Sequence, residues 1–550
     1  MAATSPTPTT ARPAAAALAR ARYPGHNRVS FHLCRRRATP CWRPPTCSRG
    51  GKPAVTDVVN EEEAPPRGAE AERKDDGDTE EAGTRRGALG WLRLDGVAAD
   101  ILSIAVPAVL ALAADPITAL VDTAFVGHIG SAELAAVGAS ASVFNLVSKL
   151  FNVPLLNVTT SFVAEQQAVD EKSNSTGQRD ELSTPQKKTS QQRKVLPAVS
   201  TSLALAAGIG LLEMVALIVS SGTLMNIIGI PVDSPMRAPA EQFLMLRAYG
   251  APPIIVALAA QGAFRGFLDT KTPLYAVGVG NLLNAVLDAL LIFPLGLGVS
   301  GAALATVTSE YLTAFILLWK LNNEVDLFSW NIAGDGIIRY LKSGGLLIGR
   351  TIAVLLTLTL STSLAAREGP VPMAAYEICL QVWLTISLLN DALALAGQAL
   401  LASEYAKGNY KQARKVLYRV LQVGGVTGVT LAASLFVGFG SLSLLFTDDP
   451  AVLDVARSGV WFVTVSQPVN AIAFVADGLY YGVSDFAYAA YSTFFAGAVS
   501  SVFLLLAAPK FGLGGIWAGL TLFMSLRAIA GFWRLGSKGG PWEVIWSEEE

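Results

Sequence analysis

The chain has 550 residues, 52% of them hydrophobic and 15% charged, where an ordinary soluble domain carries about 25% charged residues. Its 42 Lys and Arg nearly balance its 43 Asp and Glu, for a formal charge of −1; this balance joins a basic and an acidic segment near the N-terminus and says nothing about partners. Apolar stretches of about 20 residues or more recur without period-two alternation, which excludes a membrane β-barrel and marks an all-α, multi-pass membrane protein.

Residues 1–52 contain no Asp or Glu and are rich in Ala, Ser, Thr, Pro and Arg, including Arg35, Arg36 and Arg37. That is the composition of an organelle transit peptide; the compact apolar core of a secretory signal is missing, and a disordered basic tail is the alternative. Residues 53–97 turn acidic and polar and are expected to form a disordered linker. Cys34, Cys41 and Cys47 fall in the transit segment at spacings that match no zinc pattern. Removal of that segment leaves Cys379 and His128 as the remaining Cys and His, so a metal centre, a cofactor or a His-based catalytic site is not expected, and the chain is not expected to be an enzyme.

The apolar segments predict twelve helices, at 100–126, 134–163, 196–221, 241–264, 274–293, 301–321, 342–365, 373–401, 416–446, 456–480, 487–508 and 514–534. Turn-forming stretches separate them, among them DTKTP at 269–273 and TDDP at 447–450. Basic residues crowd the even connectors: Lys172, Arg179, Lys187, Lys188, Arg193 and Lys194, then Arg265 and Lys271, then Lys407, Lys411, Arg414 and Lys415. The opposite side has little beyond Arg237, Arg367 and Lys510. The positive-inside rule therefore places both termini and the even connectors in the compartment where insertion begins, the stroma for a plastid protein.

The chain also repeats itself. GAFRGFLD at 262–269 meets GLYYGVSD at 478–485, and GLGVSGAAL at 296–304 meets GLGGIWAGL at 512–520, both at an offset of 216. Gly130, Ala135, Ala136 and Glu165 meet Gly369, Ala374, Ala375 and Glu404 at an offset of 239, the larger value reflecting a longer loop at 170–194. Two six-helix lobes are expected, at 98–325 and 326–535, with a polar tail at 536–550. An even number of spans gives both lobes one orientation, related by a pseudo-two-fold along the membrane normal, the usual architecture for alternating access.

Charged residues inside apolar runs are the candidate functional groups, because an ionised Asp at the bilayer centre costs roughly 2.5–3.5 kcal/mol. Asp122 lies near the end of the first predicted helix, and Asp288 lies in the fifth, four residues and one turn after Asn284. Thr306 follows in the sixth helix, across a short Gly-rich turn. Such a group of carboxylates, amide and hydroxyl can hold one proton or one small cation; the alternative is an Asp–Asn hydrogen bond that only fixes packing. Arg350 and Arg527 lie inside the seventh and twelfth helices. Each suits bidentate capture of a carboxylate on an anionic solute, and each can equally be neutralised by an internal acid such as Glu377 or Asp477, or reach for the interface. Lys149, Glu213 and Glu310 are expected near interfaces or in structural pairs.

DTAFVGHIGSAELAAVG at 122–138, GAFRGFLDTKTP at 262–273, NAVLD at 284–288 and GVSGAALATV at 298–307 resemble the multidrug and toxic compound extrusion (MATE) family, over roughly residues 98–535. The likeness is to plant DETOXIFICATION proteins with plastid-type N-termini, near the citrate-exporting plant branch. The resemblance implies twelve helices in two pseudo-symmetric lobes and export of organic solutes against an inward flow of H⁺ or Na⁺. It also implies, from the DinF-like branch, a first-lobe cation site at Asp122, Asn284, Asp288 and Thr306. Other branches place working acids in the seventh and tenth helices, where this chain has Arg350, an early Asn470 and a late Asp477; a second-lobe cation site is not expected. The resulting expectation is an antiporter, a monomer in the plastid envelope bilayer, that exports an organic anion such as citrate or an aromatic carboxylate. A broad exporter of cationic or neutral metabolites is the alternative. A small organic solute and the lipid bilayer are the expected partners, and nucleic acid is not one.

Overall fold

The computed structural model describes residues 96–180, 195–327, 334–537 and 539–547. The transit segment with its three cysteines, the linker up to residue 95, and Lys187, Lys188, Arg193 and Lys194 lie outside the described residues. Among the described residues the elements are helical throughout, apart from a single isolated bridge residue.

The first lobe comprises α1 (Gly96–Gly127), α2 (Ser131–Asp180), α3 (Pro197–Ile228), α4 (Arg237–Ala248), α5 (Ala251–Gly266), α6 (Lys271–Ile292) and α7 (Gly298–Glu324). The second comprises α8 (Gly334–Arg367), α9 (Pro370–Ala406), α10 (Tyr410–Ser443), α11 (Pro450–Gly482), α12 (Phe486–Phe511) and α13 (Leu513–Gly536), and α14 (Pro541–Trp546) ends the described chain. Eleven of these helices are long and apolar enough to cross a membrane, and α4 with α5, bent by 45° at a short break, makes the twelfth span. The predicted single helix at 241–264 is thus two. Pro252 and Pro253 open α5, and prolines lack the N–H that would carry a continuous ladder across the break. The second span runs on past its predicted end at 163 to Asp180, because its polar continuation keeps helical hydrogen bonding beyond the apolar stretch.

The C-terminal stretch read from sequence as a polar tail is not polar throughout. Trp542 and Ile545 on α14 are fully buried. Trp542 Nε1 donates to Asp485 Oδ2 at 3.2 Å, beside the 2.8 Å contact from Arg534 Nε.

The internal repeat has a structural meaning. Gly262 and Gly478 occupy matching positions, and each lets its helix lie on the backbone of the lobe's second span. A Cβ on Gly262 would meet Leu156 O at 2.9 Å; one on Gly478 would collide with Ala394 O and come within 2.8 Å of its carbonyl carbon. Each glycine has another four residues on, Gly266 and Gly482, in the small-xxx-small spacing that brings membrane helices close. Backbone conformations repeat as well: Leu268 (φ 63°) matches Ser484 (φ 58°), and Gly296 (φ 65°) matches Gly512 (φ 54°), all at the offset of 216. After each of the first pair, an Asp N–H returns to a carbonyl five residues back, Asp269 to Phe264 at 2.9 Å and Asp485 to Tyr480 at 2.8 Å. Substitution Gly478→Val is expected to destabilise the second lobe by about 3 kcal/mol or more through overpacking against fixed backbone. Thermal unfolding of the purified variant checks this, and a melting temperature equal to that of the wild type would contradict it.

Hydrogen bonds and ion pairs between the lobes gather at the end of the even connectors. Ser161 Oγ donates to Tyr481 O (2.7 Å), and Gln398 Nε2 donates to Asn157 O and Ser161 Oγ (2.8 Å each). Arg339 pairs with Glu165 at 2.6 Å and Lys407 with Glu171 at 3.0 Å. An apolar cluster that includes Ile101, Phe162, Leu401 and Leu479 draws on both lobes at this end, whereas the other buried clusters each stay within one lobe.

Candidate ion-coupling and solute sites

In the first lobe α1, α6 and α7 bring Asp122, Asn284, Asp288 and Thr306 together. Asn284 and Asp288, one turn apart on α6, are both buried, at 1% and 0% exposure. Asn284 Nδ2 donates to Thr306 Oγ1 at 3.3 Å, and Thr306 in turn donates to Ala302 O at 2.9 Å. The amide is thereby oriented with its oxygen free: Asn284 Oδ1 is buried and receives no hydrogen bond. The carboxyl group of Asp122 lies within hydrogen-bonding reach of Asp288. Neither oxygen of Asp288, nor Oδ1 of Asp122, meets a donor among the described residues.

Two carboxylates facing one another with no donor between them repel, and leaving them so in a low-dielectric interior is costly. A proton shared between them, or a small cation among the oxygens, removes both penalties. Packing alone does not ask for this arrangement, since an Asp–Asn hydrogen bond would have used the oxygens that here stay free.

The second lobe is equipped differently, with two arginines that converge on one acid. Arg350 on α8 and Arg527 on α13 both donate to Oδ2 of Asp477 on α11. Of the two acids considered from sequence, Asp477 therefore engages the arginines rather than Glu377. Asp477 and Arg527 are each 6% exposed. Arg527 also sits 5.5 Å from the ring centre of Phe474 and 5.4 Å from that of Phe523, and Arg350 sits 5.8 Å from that of Tyr481. One carboxylate oxygen serves two guanidinium groups, and the Nε of each arginine is buried without an acceptor.

Three charged residues, Asp391, Arg247 and Asp115, are not singled out by the sequence, and a fourth, Arg265, expected in a connector, is instead buried on α5. Asp391 on α9 is within electrostatic reach of Arg350, Arg527, Asp477 and Arg265. It carries the same mark as Asp288, an acid inside an apolar run (LLNDALALAG). Arg265, 4% exposed with Nη1 unpartnered, sits inside the repeated motif at the position matched by Tyr481. Arg247 and Asp115 lie around Glu310 in the first lobe, where Arg247 Nη1 donates to Glu310 Oε2 at 2.6 Å. Glu310 is thus in a pair, as expected, and Glu213 accepts from Ser148; Lys149 is exposed.

The repeat makes the division between lobes explicit. Asp122, Asn284, Asp288 and Thr306 correspond to Ser361, Ser500, Leu504 and Leu522, while Arg350, Asp477 and Arg527 correspond to Ala111, Gln261 and Tyr311. Ser361 Oγ bonds to Tyr376 OH at 2.7 Å and Ser500 Oγ donates to Gly519 O at 2.6 Å, so these equivalents are closed by local partners.

Twelve spans in two matched halves, each with charged residues buried inside it, define a polytopic transporter of the two-lobed kind. Comparison with known proteins agrees. The MatE family model matches residues 190–290 and 347–506. The chain is 65% identical to Protein DETOXIFICATION 44, chloroplastic, of Arabidopsis thaliana, over 82% of this chain and 84% of that protein. It is 47% identical to Protein DETOXIFICATION 45, chloroplastic, of the same plant, over 80% and 79%. Its fold superposes on a MATE crystal structure in the bent conformation (TM-score 0.71, 19% identity, 81% of this chain and 96% of that one). It also superposes on an outward-facing multidrug resistance MATE transporter (TM-score 0.69, 20% identity, 81% and 96%). The chain belongs to the MatE family of membrane transporters, and within it to the plastid-type plant members.

Proposed function

We propose that this protein is an antiporter of the plastid envelope that exports an organic anion, of the citrate or aromatic carboxylate class, in exchange for H⁺ or Na⁺. Asp122, Asn284, Asp288 and Thr306 hold the coupling ion, and Arg350 and Arg527 receive the carboxylate of the solute. The observation that carries this reading is the pair of buried Asp288 oxygens, which lie beside Asp122 and meet no donor among the described residues. The anion preference is supported by the two guanidinium groups that share one oxygen of Asp477. Asp391, which faces the same arginines, favours the second reading, an exporter of neutral or cationic metabolites, because it offsets the positive charge.

Purified protein in liposomes, driven by an imposed pH or Na⁺ gradient, separates the two. Labelled citrate is expected to accumulate and a cationic dye to equilibrate. Accumulation of the dye alone would establish the second reading instead.

A further inference from the structure

Arg247 faces more acids than any single ion pair requires. It ends α4 at the break before α5, where its guanidinium donates to Glu310 of α7 and lies 4.3 Å from the ring centre of Phe144 on α2. Asp115 and Asp122 on α1 and Glu213 on α3 are all within its electrostatic reach, as well as Glu310. Asp288 on α6 meets this network through Asp122. The break is shaped around the pair: a Cβ on Gly250 would collide with Glu310 Oε2 and come within 2.6 Å of Arg247 Nη1. Asp115 and Asp122 are seven residues apart on α1, as are Asn281 and Asp288 on α6. Two turns of helix put about 10 Å between the members of each pair. Asp115 faces the Asn281 amide as Asp122 faces Asp288, so the acids form two rungs with Arg247 beside them.

An ion-coupling site has two requirements that oppose each other, since it must bind its cation and also let it go. A buried carboxylate pair with free oxygens meets the first. We propose that Arg247 is the positioning residue that meets the second: its fixed charge beside Asp122 weakens cation binding enough for release, and Glu310 holds that charge in place and partly screens it. This rests on the antiport reading above.

The test uses purified full-length protein and two probes, sodium-22 binding at alkaline pH and proton uptake after an acid pulse. Asp288→Asn first identifies the cation, as the probe whose binding that substitution abolishes. Arg247→Gln is then expected to bind that cation about tenfold more tightly and to release it more slowly, from the Coulomb interaction of one partly screened charge. Glu310→Gln, which removes the acid that Arg247 donates to, is expected to weaken binding by about tenfold, and Arg247→Lys to restore wild-type affinity. A brace without an electrostatic role predicts something else: both neutral variants lose stability and their cation affinity moves in the same direction or not at all. That result overturns the inference while leaving the antiport reading intact. Each neutral variant tests the sign of the effect separately, so failure of one to fold leaves the other decisive. If Asp288→Asn changes neither probe, the antiport reading falls, and this inference with it.

Discussion

Asp288→Asn is expected to abolish gradient-driven accumulation while leaving the protein folded. With about a hundredfold ion gradient and one ion per cycle, coupling supplies about 2.8 kcal/mol and supports about a hundredfold accumulation of solute; the variant should bring that ratio to about one. The reason lies in the local hydrogen bonding. Asp288 presents two buried oxygens without donors, against the Asp122 carboxyl. An amide has nearly the same shape, so the packing of α6 survives, but it brings its own donor to Asp122 and removes the need for a positive particle there. Transport ratio and melting temperature should be measured on the same preparation. Wild-type accumulation by a well-folded variant is the outcome that sinks the role assigned to Asp288.

The second large effect is expected at Asp477. Its Oδ2 accepts from both Arg350 and Arg527, and Asp477 and Arg527 are almost wholly buried. Replacing it with Asn leaves two guanidinium charges without that carboxylate in a low-dielectric interior, and breaking a buried pair in this way costs about 3–5 kcal/mol. A marked drop in melting temperature should follow. Added citrate should recover more of the lost stability in the variant than it adds to the wild type, because a solute carboxylate takes the place of the missing one. A variant as stable as the wild type would show that the arginines do not depend on this partner. A destabilised variant that citrate leaves unchanged would remove the support these arginines give to an anionic solute.

The helices were legible in the sequence because lipid-facing segments must be long, apolar and internally hydrogen-bonded. Each predicted span is found, but besides the break at Gly250 and the extension to Asp180, α3 runs seven residues past its predicted end, α8 starts eight residues before its predicted start, and α10 and α11 each start six residues early. The break was hidden because its cause is tertiary: Pro252 and Pro253 suit a helix start as well as a kink, and the Arg247–Glu310 contact that fills the break joins residues 63 apart. Asp122, Asn284, Asp288 and Thr306 are grouped in the sequence because acids stand out in apolar runs, spacing places Asn284 and Asp288 on one face, a short turn brings Thr306 near, and the family likeness joins the four. The structure brings the four together. Arg350 and Arg527 stood out as charges within apolar runs, but which acid they meet depends on the packing of α8, α11 and α13. Asp391 carried the same mark and was overlooked. Burial of α14 was equally hidden, since six residues carry no useful periodicity and Trp542 is held by the distant Asp485.

The unequal equipment of the two halves has a mechanical consequence. Asp288 matches Leu504 and Arg350 matches Ala111, so under the proposed function neither duplicated unit carries a full set of groups for both passengers. If ion and cargo ride on separate bodies, one cannot push the other out by occupying its seat. Their linkage must then travel through the joint between those bodies, through contacts such as Gln398 with Asn157 and Ser161. Loosening that joint should produce slippage, with each passenger still bound but no longer obliging the other to move.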